Sequence, residues 1–313
     1  MRLWIVRAGL LAAVIALAAC NSTGATSSPS SATATTAPAT TATTTATGSA
    51  LNLRALPVGD GKVGTTARVG YVFSCQTSFP GVGGAAVAGP WIHGSTWDST
   101  AKIAVQGSVS WPQASYTVTQ SGASRVIHTN DLPNGFTTGV FPVAASDPAA
   151  AYDRNPNTIT AQSITYTLPT NPTAASTPSC LGMGPIGVLS DGVLLFNALD
   201  GEGRDAVVHE ILDSCGGHPE RTGEYHHHDI PPCILAKATG ASTLVGYALD
   251  GYGVYVERDA SGALLTDADL DACHGRTSVI TWDGKQVSMY HYDATAEYPY
   301  TVGCYHGTPI SAR

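Results

Sequence analysis

The chemistry-bearing residues of this sequence concentrate in Tyr225-His226-His227-His228, a run between Gly223 and Pro231. In an extended strand successive side chains alternate, so His226 and His228 share one side while Tyr225 and His227 face the other. Two imidazoles at i and i+2 can chelate one metal ion. A second run, Tyr290-His291-Tyr292-Asp293, offers His291 and Asp293 at the same spacing. If the two runs pack about a pseudo-twofold axis, three nitrogens and one oxygen converge. That set suits zinc, copper or iron rather than calcium, which takes oxygens. The expected metal ligands are His226, His228, His291 and Asp293, with His218 able to complete the set. Glu210 and Asp213 are candidates for a general base, or with His209 for further ligands or groups that orient them. The competing account is a satisfied hydrogen-bond network of buried histidines and tyrosines with no metal.

The elements that must position these residues are written twice. Ile186-Gly187-Val188-Leu189-Ser190-Asp191-Gly192, running on to Phe196, matches Val245-Gly246-Tyr247-Ala248-Leu249-Asp250-Gly251, running on to Tyr255. Each places Asp-Gly between apolar segments, the turn signal of a β-hairpin. Cys215 and Cys273, then Tyr225-His226 and Tyr290-His291, then Cys233 and Cys304 follow in the same order. Each copy therefore reads as hairpin, short helix, loop and histidine-bearing strand, with copies at 186–233 and 245–304. In the first, a helix is expected from Asp205 to the stop at Gly216-Gly217, which would put His209 and Asp213 on one face. In the second, Thr266 with Asp269 forms a capping box, and Gly275 is the stop.

The fold class expected is mainly β with a few short helices (α+β), the C-terminal half (186–313) being duplicated with pseudo-twofold symmetry. Residues 51–185 read as a β-rich N-terminal region, with strands at Ala67–Phe73, Ser115–Thr119 and Ser163–Leu168. His93 and His128 lie alone there and read as surface or packing residues.

Of seven cysteines, Cys20 stands apart and six remain: Cys75, Cys180, Cys215, Cys233, Cys273 and Cys304. An even number in an exported chain indicates disulfides, although six cysteines allow fifteen pairings. No C-x-x-C is present, which disfavours a cysteine zinc site. The repeat favours bridges within each copy, Cys215–Cys233 and Cys273–Cys304, leaving Cys75–Cys180. Asp267, Asp269 and Asp271 lack the glycine and glutamate of a calcium loop, as do Asp153, Asn155 and Asn157. No G-x-S-x-G and no phosphate-cradling glycine loop occurs.

Export is read from the first twenty residues. Arg2 and Arg7 precede an apolar run, Ala8–Ala19, too short to span a bilayer but suited to a signal peptide. Leu17-Ala18-Ala19-Cys20 resembles the lipobox of bacterial lipoproteins, in which the cysteine is acylated and becomes the N-terminus. Residues 21–50, almost wholly Ser, Thr, Ala, Pro and Gly without charge, cannot bury enough surface to order, and read as a tether. The expected location is the extracytoplasmic face of the bacterial cell membrane, with the lipid on Cys20 as anchor. The formal net charge is −8, which argues against nucleic acid as a partner.

The runs Asp213–Pro219 (D-S-C-G-G-H-P), Tyr225–His228, Leu244–Tyr252, Met289–Tyr292 (M-Y-H-Y) and Tyr298–Gly307 resemble the YHYH-domain proteins. The likeness also takes in Asn155-Pro156-Asn157 and Ile186–Asn197, so it covers roughly 110–307. It implies an exported bacterial protein, often a lipoprotein, and names no activity. This chain departs from the motif in both copies, and Arg276 stands where the first copy has His218. The functional expectation is a cell-surface lipoprotein binding a transition metal, zinc or copper foremost. One alternative is a metal-dependent hydrolase or oxidase. Another is a metal-free adhesion module stacking exposed tyrosines on glycans, and a protein or glycan partner is left open.

Overall fold

The computed structural model describes residues 51–81, 85 and 87–312. The expected signal peptide, its Cys20 and the expected tether lie outside them. The described residues belong to one unit, so the N-terminal region and the repeated region share a core. Strands dominate. Among the described residues the α-helices are two single turns, α1 (Ala206–His209) and α2 (Pro232–Leu235), and no helix is long and apolar enough to cross a membrane.

In the N-terminal region β1 (Tyr116–Ser121), β2 (Ser124–Thr129) and β3 (Ile164–Pro169) form a sheet in the order β3-β2-β1. The strand expected over Ala67–Phe73 is shorter. A turn closed by Tyr71 N–H on Arg68 O, with Gly70 at φ +72°, leaves only Val72–Phe73 to pair.

The repeated region builds one sheet of eight strands. In chain order they are β4 (Pro185–Leu189), β5 (Leu194–Phe196), β6 (Gly217–Pro219), β7 (Tyr225–His227), β8 (Ser242–Ala248), β9 (Gly253–Glu257), β10 (Gly275–Trp282) and β11 (Lys285–Asp293). They lie side by side as β6-β7-β5-β4-β8-β9-β11-β10. This order reads the same from either edge. Hairpins β4-β5 and β8-β9 turn at Asp191-Gly192 and Asp250-Gly251, where both glycines have positive φ. Histidine strands β7 and β11 pair in parallel with β5 and β9, and their outer partners are antiparallel. At the centre Val188 faces Tyr247, flanked by Gly187–Ala248 and Leu189–Gly246. A shift of 59 positions carries Val188 onto Tyr247 and exchanges the flanking pairs.

The central strands are buried on both faces, as their runs of Val, Ile, Leu and Gly require. The N-terminal sheet supplies part of the cover. Arg125 of β2, 2 % exposed, lies over the rings of Tyr247 and Trp282 and pairs with Asp283 at 3.1 Å. The disulfides are Cys75–Cys180, Cys215–Cys233 and Cys273–Cys304, the pairing expected from the repeat.

The helix expected from Asp205 to Cys215 is a single turn. Glu210 leaves it in extended conformation (φ −78°, ψ 147°), and Val105 N–H bonds Leu212 O while Val105 bridges Asp213. Pairing with the N-terminal region displaces helix continuation, so His209 and Asp213 do not share a face. In the second copy the helix is a 3-10 turn, Asp267–Asp269, with Thr266 N–H and Oγ1 both donating to Asp269 Oδ2 at 2.9 Å.

Candidate metal centre

Strand alternation and cross-strand register bring three histidines to one point. His226 and His228 leave the same side of β7, and β6 places His218 directly opposite His226. Their Nε2 atoms are 3.1 Å (His218–His226), 3.4 Å (His218–His228) and 3.2 Å (His226–His228) apart. All three side chains are buried. β6 and β7 approach this closely because Gly217 has no Cβ; one would meet the Tyr225 ring at 2.3 Å.

The other ring nitrogens are held from outside. His226 Nδ1 faces Glu224 O at 3.2 Å, and His228 Nδ1 donates to Asn197 O. Both rings therefore carry a proton on Nδ1, and in the neutral imidazoles the Nε2 lone pair points inward. His218 Nδ1 stands 3.4 Å from the Asn155 amide nitrogen, which also donates to Pro219 O. Phe196 stacks on His226, centroids 4.0 Å apart.

At least two lone pairs thus face each other at hydrogen-bond distance, which is repulsive unless a proton or a cation lies among them. Zinc bound tetrahedrally at about 2.0–2.1 Å to nitrogen would set its ligand atoms about 3.3–3.4 Å apart. The spacing here fits such an ion closely.

Glu210, delivered by the extended exit from α1, brings Oε2 to 3.4 Å from His218 Nε2 and 3.3 Å from His228 Nε2. Burial alone would raise its pKa, but the facing His218 and His228 pull it down to about 2. Burial pushes His218 down to about 4 against the pull of Glu210. It also holds His226 far below the ordinary histidine value, helped by its two imidazole neighbours. Burial works the same way at His228, but the Glu210 carboxylate overrides it and the net shift is upward. The cluster opens on a cleft of about 830 Å³, walled by Asn155, Asn157, Phe196 and Arg221 among others.

His291 and Asp293 do not join this centre. Between β7 and β11 lie four strands, which at 4.7–4.9 Å per strand separates them by roughly 24 Å. They meet Glu257 instead: His291 Nε2 is 3.3 Å from Glu257 Oε2 and 3.4 Å from Asp293 Oδ2. Arg276 binds Glu257 Oε2 through Nη2 at 2.6 Å and Nε at 2.9 Å. The four expected ligands therefore fall into two clusters, because the repeat's axis runs between β4 and β8 and sends the histidine strands toward opposite edges.

Asp213 is not placed as a base. It accepts the Tyr225 hydroxyl and the N–H groups of Gly139 and Cys215, all at 2.9 Å to an oxygen of its carboxylate, and it does not line the cleft. His209 pairs with Asp60 at 2.8 Å. His227 turns away as alternation predicts, to Asp191 Oδ2 at 3.1 Å. His93 and His128 are exposed. The neighbours that no sequence motif marks are the buried Asn197 and Glu257 and the half-buried Phe196. Their only signal was position at the ends of β5 and β9, beside the histidine strands.

A family model described as YHYH protein matches residues 165–267. The match is narrower than the likeness read from motifs. It contains Glu210, His218, His226 and His228, and stops before Arg276, His291 and Asp293. No curated protein and no solved structure matches the chain.

Proposed function

From a YHYH domain with three buried histidines converging on one point, we propose that this chain is a cell-surface lipoprotein that binds one transition-metal ion. His218, His226 and His228 are the ligands and Glu210 is the carboxylate beside them. The observation that carries this reading is the triangle of Nε2 atoms, 3.1–3.4 Å on a side, with two of the three tautomers set by backbone carbonyls. Backbone carbonyls that hold ligating histidines from behind in this way are the usual second layer of a metal site. Zinc and copper are the ions of choice for imidazole nitrogens.

The cleft supports a hydrolytic role over a closed structural one, since structural sites leave no position open to solvent or substrate. A bound ion would polarise an oxygen of the ligand entering the cleft. Glu210 Oε2, 3.4 Å from His218 Nε2 and 3.3 Å from His228 Nε2, is then the carboxylate oxygen placed to accept a proton from water. The adhesion reading has less support: none of the 13 tyrosines is exposed.

Calorimetric titration of zinc and copper(II) into protein purified without metal resin tests the assignment. His218→Ala, His226→Ala and His228→Ala should each weaken binding tenfold or more, while His291→Ala leaves it unchanged. Unaltered affinity in His226→Ala and His228→Ala would reject the centre.

A further inference from the structure

The two clusters correspond position by position. In the first, β6 sets His218 opposite His226; in the same register β10 sets Arg276 opposite His291. His226 and His228 have His291 and Asp293 as counterparts, and Asp293 is fully buried. The backbone support is repeated as well, since His291 Nδ1 faces Met289 O at 3.1 Å as His226 Nδ1 faces Glu224 O. A Cβ on Gly275 would meet the Tyr290 hydroxyl at 2.4 Å, as one on Gly217 would meet Tyr225.

The difference lies in what faces the shared point. In place of three imidazoles there are one imidazole, two carboxylates and a guanidinium. Arg276 forks onto Glu257 and brings Nε to 3.7 Å from Asp293 Oδ2. Neither oxygen of Asp293 makes a hydrogen bond, and Arg276 and His291 are the basic groups that stand beside this buried carboxyl. A divalent cation placed there would meet a fixed positive charge at the position where the first cluster offers a lone pair. Arginine cannot lose its proton to become a ligand.

We propose that the second cluster is the metal centre's twin with Arg276 as its resident cation, so that Arg276 excludes a metal ion from it. The chain then holds no ion at Glu257, His291 and Asp293. Replacing Arg276 by histidine turns the cluster into a set of two nitrogens and two carboxylates competent for zinc. The reading of the first cluster enters only as the template, and the test separates the two.

The experiment counts zinc per chain in the full-length protein after loading and desalting, in a background carrying His226→Ala to silence the first cluster. His226→Ala alone should retain at most a small residual fraction of an ion per chain. His226→Ala with Arg276→His should gain one, bound at least tenfold more tightly than any residual background, and lose it again when His291→Ala is added. Arg276→Ala, which frees the carboxylates without adding a ligand, should gain a weaker ion and provides the check if Arg276→His fails to fold by near-ultraviolet circular dichroism. An ion held by His226→Ala and lost on His291→Ala would overturn the proposal. So would the failure of both Arg276 variants to gain one. A wild-type chain binding no zinc, with the Arg276→His gain intact, would reject the first centre and leave this inference standing.

Discussion

Tyr225 donates its hydroxyl to Asp213 at 2.9 Å, which pins the histidine strand β7 to the loop that carries Cys215. Tyr290 makes the same bond to Asp271 at 3.1 Å in the second copy. The tyrosine beside each histidine is thus a buried strut and not a ligand. Tyr225→Phe should lower stability by about 1–3 kcal/mol, the cost of leaving a buried acceptor short of a donor. Urea unfolding reads the loss. Zinc affinity should stay within a few-fold of wild type, and a collapse equal to that of His226→Ala would show that the hydroxyl positions the metal ligands directly.

His227 is the histidine of the triple run whose work is structural. Its ring lies between Asp191 Oδ2 and Gly216 O, both at 3.1 Å, and it is completely buried. Burial opposes its charge, but the Asp191 carboxylate prevails and raises its pKa. His227→Ala should cost about 3–5 kcal/mol by stranding the Asp191 charge. The folded fraction should still take up one zinc ion. Equal loss of zinc at His227 and His226 would make the run an unspecific histidine cluster.

His274 sets an acid limit on stability. Burial pushes its imidazole down to about 3, against about 6.5 in an unfolded chain. Asp267, 3.5 Å away, is itself pushed up to about 7 by burial and so brings little negative charge at acid pH. Below pH 6.5 the unfolded chain takes a proton that the folded one refuses. This contribution is therefore fully present above pH 6.5 and falls away toward pH 3, by up to about 1.4 kcal/mol per pH unit. His274 also sits at φ +68°, so asparagine is the substitution that keeps the backbone. His274→Asn should flatten the stability profile between pH 6.5 and 4; an unchanged slope would assign the acid sensitivity to other groups.

The proposed membrane attachment should be separable from folding. Cys20→Ser should abolish metabolic labelling with a radioactive fatty acid and move the protein from the detergent to the aqueous phase. A chain beginning at Leu51 should unfold with the same midpoint as the full-length protein, since the described core is built from residues 51 onward. Unchanged detergent partitioning of the Cys20→Ser protein would refute the anchor.

What could be read along the chain was whatever depends on short-range periodicity or on the repeat. Alternation put His226 and His228 on one side and His227 on the other, because a strand has a period of two. The Asp191-Gly192 and Asp250-Gly251 turns follow from glycine's freedom at positive φ, and the cysteine pairs from copying one bridged loop. What only the tertiary structure decided was which of these local pieces meet. His218 enters the centre through cross-strand register with His226, and Glu210 through a helix cut short by pairing with Val105. Convergence of His291 with His226 is what a twofold repeat by itself suggests. It fails because hydrogen bonding joins the copies through β4 and β8, and a sheet spaces its strands by a fixed 4.7–4.9 Å that side chains cannot bridge across four neighbours. Strand order is a property of long-range pairing, and no local pattern in this sequence encodes it.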